Sequence, residues 1–290
     1  MRIVLTGASG QLGDYLAGRL VASGHEVAAW SGAETGTRAG LRLRPIDLID
    51  AAATEAALDK ADPEAIIHAA ALSTADAVRR DPVKARAINV EATARLAAWC
   101  ARRDRRLVFV STDLVFDGAR SWSREDDPAE PILAYGRTKR EAEPAVLAIP
   151  RGLVARLSLL FGPAREGRPT YFDRAVTALR TGQPQTFFED EYRTPLDYAT
   201  AAAILARLAE SDATGLLHVA GRERVSRFEL MSRSALALGL DPGLVRGNRQ
   251  SDAGLTEPRP ADVSLNTDQL AALLPDLARP LIEEAVAAFA

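Results

Sequence analysis

Gly7, Gly10 and Gly13, spaced three residues apart, constrain this chain more than any other stretch. They follow an apolar run at residues 2–6 that has the length and branching of a buried strand. Beyond them Leu12, Tyr15, Leu16, Leu20 and Val21 recur at helical spacing, and Gly24 marks a stop. Glycine lets the backbone turn tightly and approach a ligand, and a helix N-terminus favours an anion. The spacing alone is a weak signal. Between a strand and a helix it predicts a dinucleotide pyrophosphate site in a doubly wound parallel sheet.

The following segments extend that pattern. His25–Trp30 reads as a second strand, and Trp30-Ser31-Gly32 stand where an acidic residue would bond a ribose 2′-hydroxyl. Without that carboxylate, and with Ser31 and Arg38 nearby as donors, NADP(H) is favoured over NAD(H); Arg38 reads equally well as a solvated loop residue. Leu43–Ile46 reads as a third strand ending at Asp47-Leu48, where a carboxylate suits an adenine amino group or a helix cap. A fourth strand, Ala65–Ala71, ends in the small residues Ala69, Ala70 and Ala71, against which a cofactor can lie. His68 reads as a packed strand residue. Asp81-Pro82 opens a helix to about Arg102 that contains Asn89, a buried amide in need of partners.

A second centre lies at residues 107–139. Leu107–Val110 reads as a buried strand, and Ser111, Thr112 and Asp113 fall at its carboxyl end, where open α/β sheets gather their chemistry. Tyr135 and Lys139 share one helix face. A free phenol titrates near ~10 and is a poor acid–base group at neutral pH; a fixed cation lowers that value. A tyrosine, a lysine and a strand-end hydroxyl are the groups that protonate a carbonyl oxygen while hydride reaches its carbon. The Tyr-x-x-x-Lys spacing on its own carries little weight.

After Leu153–Phe161 the strand–helix alternation loosens. Helices are expected near 171–182, 199–208 and 281–289, a strand near 216–220, and a capping box at Ser226–Glu229. The sequence therefore predicts an α/β, Rossmann-type doubly wound parallel sheet over residues 1–160, completed by segments near 197–220, with a smaller C-terminal α/β substrate lobe over 161–290. A net charge of −3, with scattered arginines, gives no case for nucleic acid or membrane binding. No stretch approaches the ~20 apolar residues of a membrane span. The single cysteine, Cys100, precludes a disulfide within the chain and fits a cytoplasmic setting; the three dispersed histidines make no metal site.

With these residues in place, the chain resembles the extended short-chain dehydrogenases/reductases, and within them the dTDP-4-dehydrorhamnose reductase branch. The resemblance rests on Thr6-Gly-Ala-Ser-Gly-Gln-Leu-Gly13, His68-Ala-Ala-Ala71, Asn89-Val90, Ser111-Thr-Asp-Leu-Val-Phe-Asp-Gly118, Tyr135-Gly-Arg-Thr-Lys139 with Glu143, Arg156, and Arg259-Pro260 followed by Leu265-Asn266-Thr267. It implies a catalytic Thr112, Tyr135 and Lys139, with Lys139 also on the nicotinamide ribose. Gly7, Gly10, Gln11 and Leu12 would hold the pyrophosphate, with Ser9, Ser31, Arg38, Asp47, Leu48, Ala69, Ala70, Ala71 and Asn89 as the other cofactor-binding residues. Ser73, Thr112, Asp113, Arg193 and Arg259 would meet the substrate, a nucleotide sugar reduced at a 4-keto group; both arginines also read as packing ion pairs.

Three positions depart from the branch. Leu114 stands where an aromatic residue commonly follows Ser-Thr-Asp, and Leu159 where a tryptophan is common, both beside the sugar in the family. Asp14-Tyr15 stands where some members carry a glutamate that helps bind a metal at a dimer contact, so no metal is expected and a homodimer is left open. Two other functions stay in view: a non-catalytic dinucleotide-binding regulatory subunit, and an epimerase or dehydratase, the latter disfavoured because Leu114 follows Asp113 where a second carboxylate would help.

Overall fold

The computed structural model describes residues 1–289. Contacts divide them into two units. The first holds residues 1–112, 134–156 and 201–217; the second holds 113–133, 157–200 and 218–289.

The first unit is built on a seven-stranded parallel sheet. Its strands are β1 (Arg2–Thr6), β2 (Glu26–Ser31), β3 (Arg44–Pro45), β4 (Ala65–His68), β5 (Arg106–Thr112), β6 (Gly152–Leu157) and β7 (Gly215–Val219), in the spatial order β7-β6-β5-β4-β1-β2-β3. The order reverses at β1, which pairs with β2 on one side and β4 on the other. Strands covered on both faces should be apolar throughout, and in β1, β4 and β5 nearly every residue is buried.

Helices α1 (Gln11–Ala22), α2 (Ala51–Ala61), α3 (Ala92–Arg103), α4 (Ala134–Leu147) and α5 (Tyr198–Glu210) alternate with the strands. Trp99, Cys100 and Leu96 of α3 pack with Leu107 and Phe109 of β5 and with Val146 of α4. Each such large apolar side chain contributes roughly 1.5–3 kcal/mol when fully buried. Burial pushes the Cys100 thiol up to about 12, which makes it inert packing.

The third strand is shorter than the expected Leu43–Ile46, because Leu41–Arg42 turns back to pair with Thr37–Arg38. The helix expected from Asp81 to Arg102 does start under an Asp81 cap, but a π turn at Ala87–Glu91 separates Pro82–Arg86 from α3. The strand expected over Leu153–Phe161 ends at Leu157 and resumes at Leu160–Phe161. Residues 113–133, which the sequence assigns to the first domain, group with the second unit. They are a long polar segment whose partners lie far along the chain, such as Ser264, which accepts from the Trp122 N–H.

The second unit is built from two-stranded pairings and capped helices. Gln185–Phe188 runs parallel to Val245–Asn248, and Tyr192–Arg193 runs antiparallel to Val225–Ser226. Capping boxes at Thr170–Asp173 and Ser226–Glu229 start helices Tyr171–Arg180 and Arg227–Ala237. Their apolar faces meet around Phe161, Phe172 and Phe289, whose ring centroids lie 5.7 to 6.1 Å apart. No helix among the described residues is long and apolar enough to cross a membrane.

Candidate active site

The glycine turn sits where the sheet order reverses. Gly7 follows β1 with φ +72°, and a Cβ there would lie 2.7 Å from the Ala70 nitrogen and 2.8 Å from the Ala69 carbonyl carbon. A Cβ on Gly13 would lie 2.1 Å from the Gly7 oxygen. Gly10 donates its N–H to that oxygen at 2.9 Å and occupies the cap position of α1, where it offers no side-chain acceptor. Any larger residue would fill this cradle. A twelve-residue helix begins there, so a pyrophosphate fits its first turn, with backbone N–H groups and dipole supplied at once. Ser9, Gln11 and Leu12 are half-buried around the turn.

The adenosine end differs from expectation. Ser31 is buried and its hydroxyl donates to the Glu34 carbonyl, while the Arg38 guanidinium pairs with the Glu34 carboxylate. The two donors expected to meet a 2′-phosphate thus both engage Glu34, a residue that the sequence reading passed over three positions beyond β2. Asp47 accepts from the Ile49 N–H at 3.0 Å, and the helix cap is Asp50, which accepts from Ala53. Leu48 is buried, and its carbonyl accepts from Arg95.

Thr112 ends β5 and is buried. On α4, Tyr135 is half-buried and Lys139 is 1% exposed. Glu143 lies one further turn along that face and is fully buried. It accepts from Ser111 at 2.7 Å and from Arg156 of β6 at 2.9 and 2.7 Å. Tyr135, Lys139 and Glu143 recur at intervals of four, a signal in the sequence that would have placed the glutamate beside the lysine. Burial pulls the Lys139 ammonium down to about 7, with Glu143 opposing the fall.

Asn89 lies at the π turn, where an extra residue redirects a helix face, often at a functional site. Its amide is fully used. Oδ1 accepts from the Leu72 N–H at 2.8 Å, and Nδ2 donates to the Leu72 carbonyl at 3.0 Å and to the Thr138 hydroxyl at 2.9 Å. Thr138 in turn donates to the Tyr135 carbonyl. Asn89 therefore ties the segment after β4 to the first turn of α4. Ser73, nearby in sequence, is exposed.

In the second unit Arg193 is committed to carboxylates. Its Nη1 lies 2.7 Å from both oxygens of Asp113, and Nη2 lies 3.4 Å from Glu191. Ser158 also donates to Asp113. Glu191, which is buried, faces Arg193, Arg259 and Arg227 at 3.4, 3.4 and 3.9 Å. Burial would raise its carboxyl, but the three guanidiniums hold it below the usual carboxylate range. The grip on a diphosphate expected of Arg193 is thus taken up by two acids. Arg259 keeps 43% of its side chain exposed. Leu114 packs with the Val115–Phe116–Val263–Leu265 cluster, and Leu159 with the Phe161 cluster, so both join apolar cores of this unit.

The comparisons agree with this architecture. A family model described as RmlD substrate binding domain matches residues 1–289. A probable dTDP-4,6-dihydroxy-2-methyloxan-3-one 4-ketoreductase of Streptomyces antibioticus is 33% identical over 273 residues, covering 93% of this chain and 88% of that protein. The methionine adenosyltransferase 2 subunit beta of Xenopus tropicalis is 31% identical over 277 residues, 93% of this chain and 81% of that one. The crystal structure of dTDP-4-dehydrorhamnose reductase from Bacillus anthracis in complex with NADP has a TM-score of 0.86, over 99% of this chain and 98% of that chain; at 22% identity the likeness is one of fold.

Proposed function

The chain belongs to the RmlD substrate-binding domain family, and we propose that it is an NAD(P)H-dependent reductase of a keto sugar nucleotide. The observation that carries this is the α4 face beside β5: a phenol and a buried ammonium one turn apart on the helix, with Thr112 at the end of the strand. A buried lysine whose ammonium is pulled down by burial, set one turn from a phenol, is the kind of perturbed group that gathers at functional sites. The 4-ketoreductase from Streptomyces supports the same chemistry.

The glycine cradle and Lys139 would hold the dinucleotide, which when bound supplies the hydride, and Asn89 would brace the backbone after β4. Tyr135 donates the proton to the carbonyl oxygen as general acid. The Thr112 hydroxyl orients that oxygen. Lys139, as the ammonium, favours the phenolate left behind and so makes the phenol a better acid near neutral pH. Arg259 is the candidate for the substrate diphosphate, by bidentate donation. Leu114 and Leu159 stand where the family commonly carries aromatic residues beside the sugar, so the substrate is a keto sugar nucleotide that need not be the rhamnose precursor.

The test starts with the intrinsic fluorescence of the pure protein titrated with NADPH and with NADH, followed by a screen of 4-keto sugar nucleotides with whichever binds. Oxidation of the reduced cofactor by one of them, lost in Tyr135→Phe, supports the proposal. No turnover with any of them removes the sugar-nucleotide part. The 31% identity to a methionine adenosyltransferase subunit favours a second reading, a dinucleotide-binding regulatory subunit. Cofactor binding without turnover, together with copurification of a catalytic partner, would select it.

A further inference from the structure

Lys139 does not depend on the charge of Glu143 alone. Its Nζ lies 4.0 Å from the centroid of the Phe109 ring, on the adjoining strand β5. That ring is fully buried. Its neighbour on β4 is the His68 imidazole, stacked at 5.6 Å between centroids with 27° between planes. His68 is fixed in turn, with Nδ1 2.7 Å from the Thr6 hydroxyl and Nε2 3.0 Å from the Thr93 hydroxyl. Thr93 donates to the Asn89 carbonyl. An aromatic face in this position attracts a cation through its quadrupole, and the attraction strengthens as water is excluded.

We propose that Phe109 is a positioning residue for the reductase chemistry: the face of its ring, braced by His68, holds the Lys139 ammonium in place and in its charged form. The inference rests on the function proposed above only for its catalytic consequence; the hold on the ammonium stands by itself. Composition sharpens it. The chain carries 36 lysines and arginines, of which only Lys60, Lys84 and Lys139 are lysine. Lys60 and Lys84 are exposed, whereas Lys139 is buried. Arginine stays charged when buried, while lysine does not unless something holds the proton on it. The groups facing Lys139 are Glu143, which favours the ammonium, and His68, whose imidazole is driven down to about 3 by burial and then by Lys139 itself, and which is therefore neutral. Tyr135 shares its helix face. Arg156 reaches Glu143 from β6 and Arg140 lies 3.8 Å from it, so part of that carboxylate's charge is spent elsewhere. Phe109 supplies what Glu143 does not.

With three lysines, the protein labelled with ¹³C at lysine Cε gives three resonances, and the buried one is identified by its absence in Lys139→Met. Its pH titration is followed in the wild type, in Phe109→Leu, and in proteins carrying mono-, di- or trifluorophenylalanine at 109. The fluorinated rings keep their shape while losing the negative face, so they remain informative where Phe109→Leu fails to fold. The expected result is a midpoint that falls stepwise with fluorination and by about 0.5 to 1.5 pH units in Phe109→Leu. In the active protein, the alkaline limb of kcat moves down with it while KM for the reduced cofactor stays within about threefold. A midpoint unmoved by fluorination overturns the proposal even where turnover is intact. A falling midpoint in a protein that reduces no keto sugar leaves the role of Phe109 standing and removes the proposed reaction.

Discussion

Arg156 meets Glu143 through two nitrogens, Nε at 2.9 Å to one carboxylate oxygen and Nη2 at 2.7 Å to the other, and both side chains lie out of water. The pair joins β6 to α4, and Ser111 adds a third bond from the end of β5. The charges cannot be removed singly at low cost. Glu143→Gln or Arg156→Met leaves an uncompensated buried partner and should lower unfolding free energy by about 3–5 kcal/mol. The double variant Glu143→Leu/Arg156→Met should recover much of that loss. Urea denaturation of the three proteins measures it; additive losses in the double variant would contradict the pairing.

Arg193 and Arg259 both face Glu191 but should respond differently. Arg193 is buried on Asp113 and Glu191, so Arg193→Met should cost about 3–5 kcal/mol of stability, because two carboxylates lose their common partner. Arg259 keeps 43% of its side chain exposed, so Arg259→Ala should change stability by about 1 kcal/mol or less. Its effect belongs in KM for the nucleotide substrate, raised about tenfold or more with cofactor affinity unchanged. An unchanged KM would take Arg259 out of diphosphate binding.

The contrast between these arginines shows what the sequence could convey. The glycine turn, β5 and the Tyr135–Lys139 helix are local patterns, each set by periodicity and turn chemistry within some fifteen residues, and they are found where the patterns put them. The partners of Arg193 are set by contacts spanning up to 80 residues, as is the grouping of 113–133 with the second unit. Nothing in a one-dimensional pattern distinguishes an arginine left for a ligand from one neutralised by a distant aspartate. The π turn at Asn89 was hidden for another reason: one extra residue in a helix leaves the apolar spacing on either side nearly intact. Ser31 and Arg38 turn on a neighbour in another way, since Glu34 accepts a bond from each.

Replacing Gly13 by alanine tests the cradle. The new Cβ would sit 2.1 Å from the Gly7 oxygen, backbone against backbone, so the turn must open to admit it. Cofactor affinity measured by fluorescence titration should fall by about a hundredfold or more, with a loss of stability of the size typical for overpacking, ~1–3 kcal/mol. Alanine at Gly24, where a Cβ meets nothing within 4 Å, should leave affinity unchanged despite its positive φ.

Tyr135→Phe removes only the phenolic hydroxyl. Turnover should drop by roughly 10²–10⁴-fold, the usual loss for an acid–base group, while cofactor still binds. Lys139→Arg should not rescue a Lys139→Met variant, because a guanidinium differs in size and shape from the ammonium that the pocket buries. Steady-state rates with the keto sugar identified in the screen decide both points. Near-normal turnover in Tyr135→Phe would exclude it as proton donor.

Stability should depend on pH in two separate windows. His68 falls from an ordinary value of 6.5 to about 3 on folding, chiefly through burial, with Lys139 adding to the fall. Between those values the unfolded chain binds more protons, so stability declines as pH drops from 6.5 towards 3, by up to about 1.4 kcal/mol per unit. Lys139 falls from 10.5 to about 7, again mainly through burial. Below 7 both states are protonated and the cost of the buried ammonium is constant. Above 7 the unfolded chain keeps its proton while the folded one releases it, so stability climbs with pH. That climb is visible only to about pH 9, because Cys100, pushed up to about 12 by burial, then gives the opposite slope as the unfolded thiol ionises first. Denaturation of the wild type from pH 4 to 9 should therefore show a nearly continuous rise, of which the part above pH 7 amounts to about 2–3 kcal/mol. His68→Gln should flatten the acidic part of the rise, and Lys139→Met should abolish the part above pH 7 while stabilising the protein at pH 6. A Lys139→Met protein that keeps the alkaline rise would show that the buried lysine is not its source.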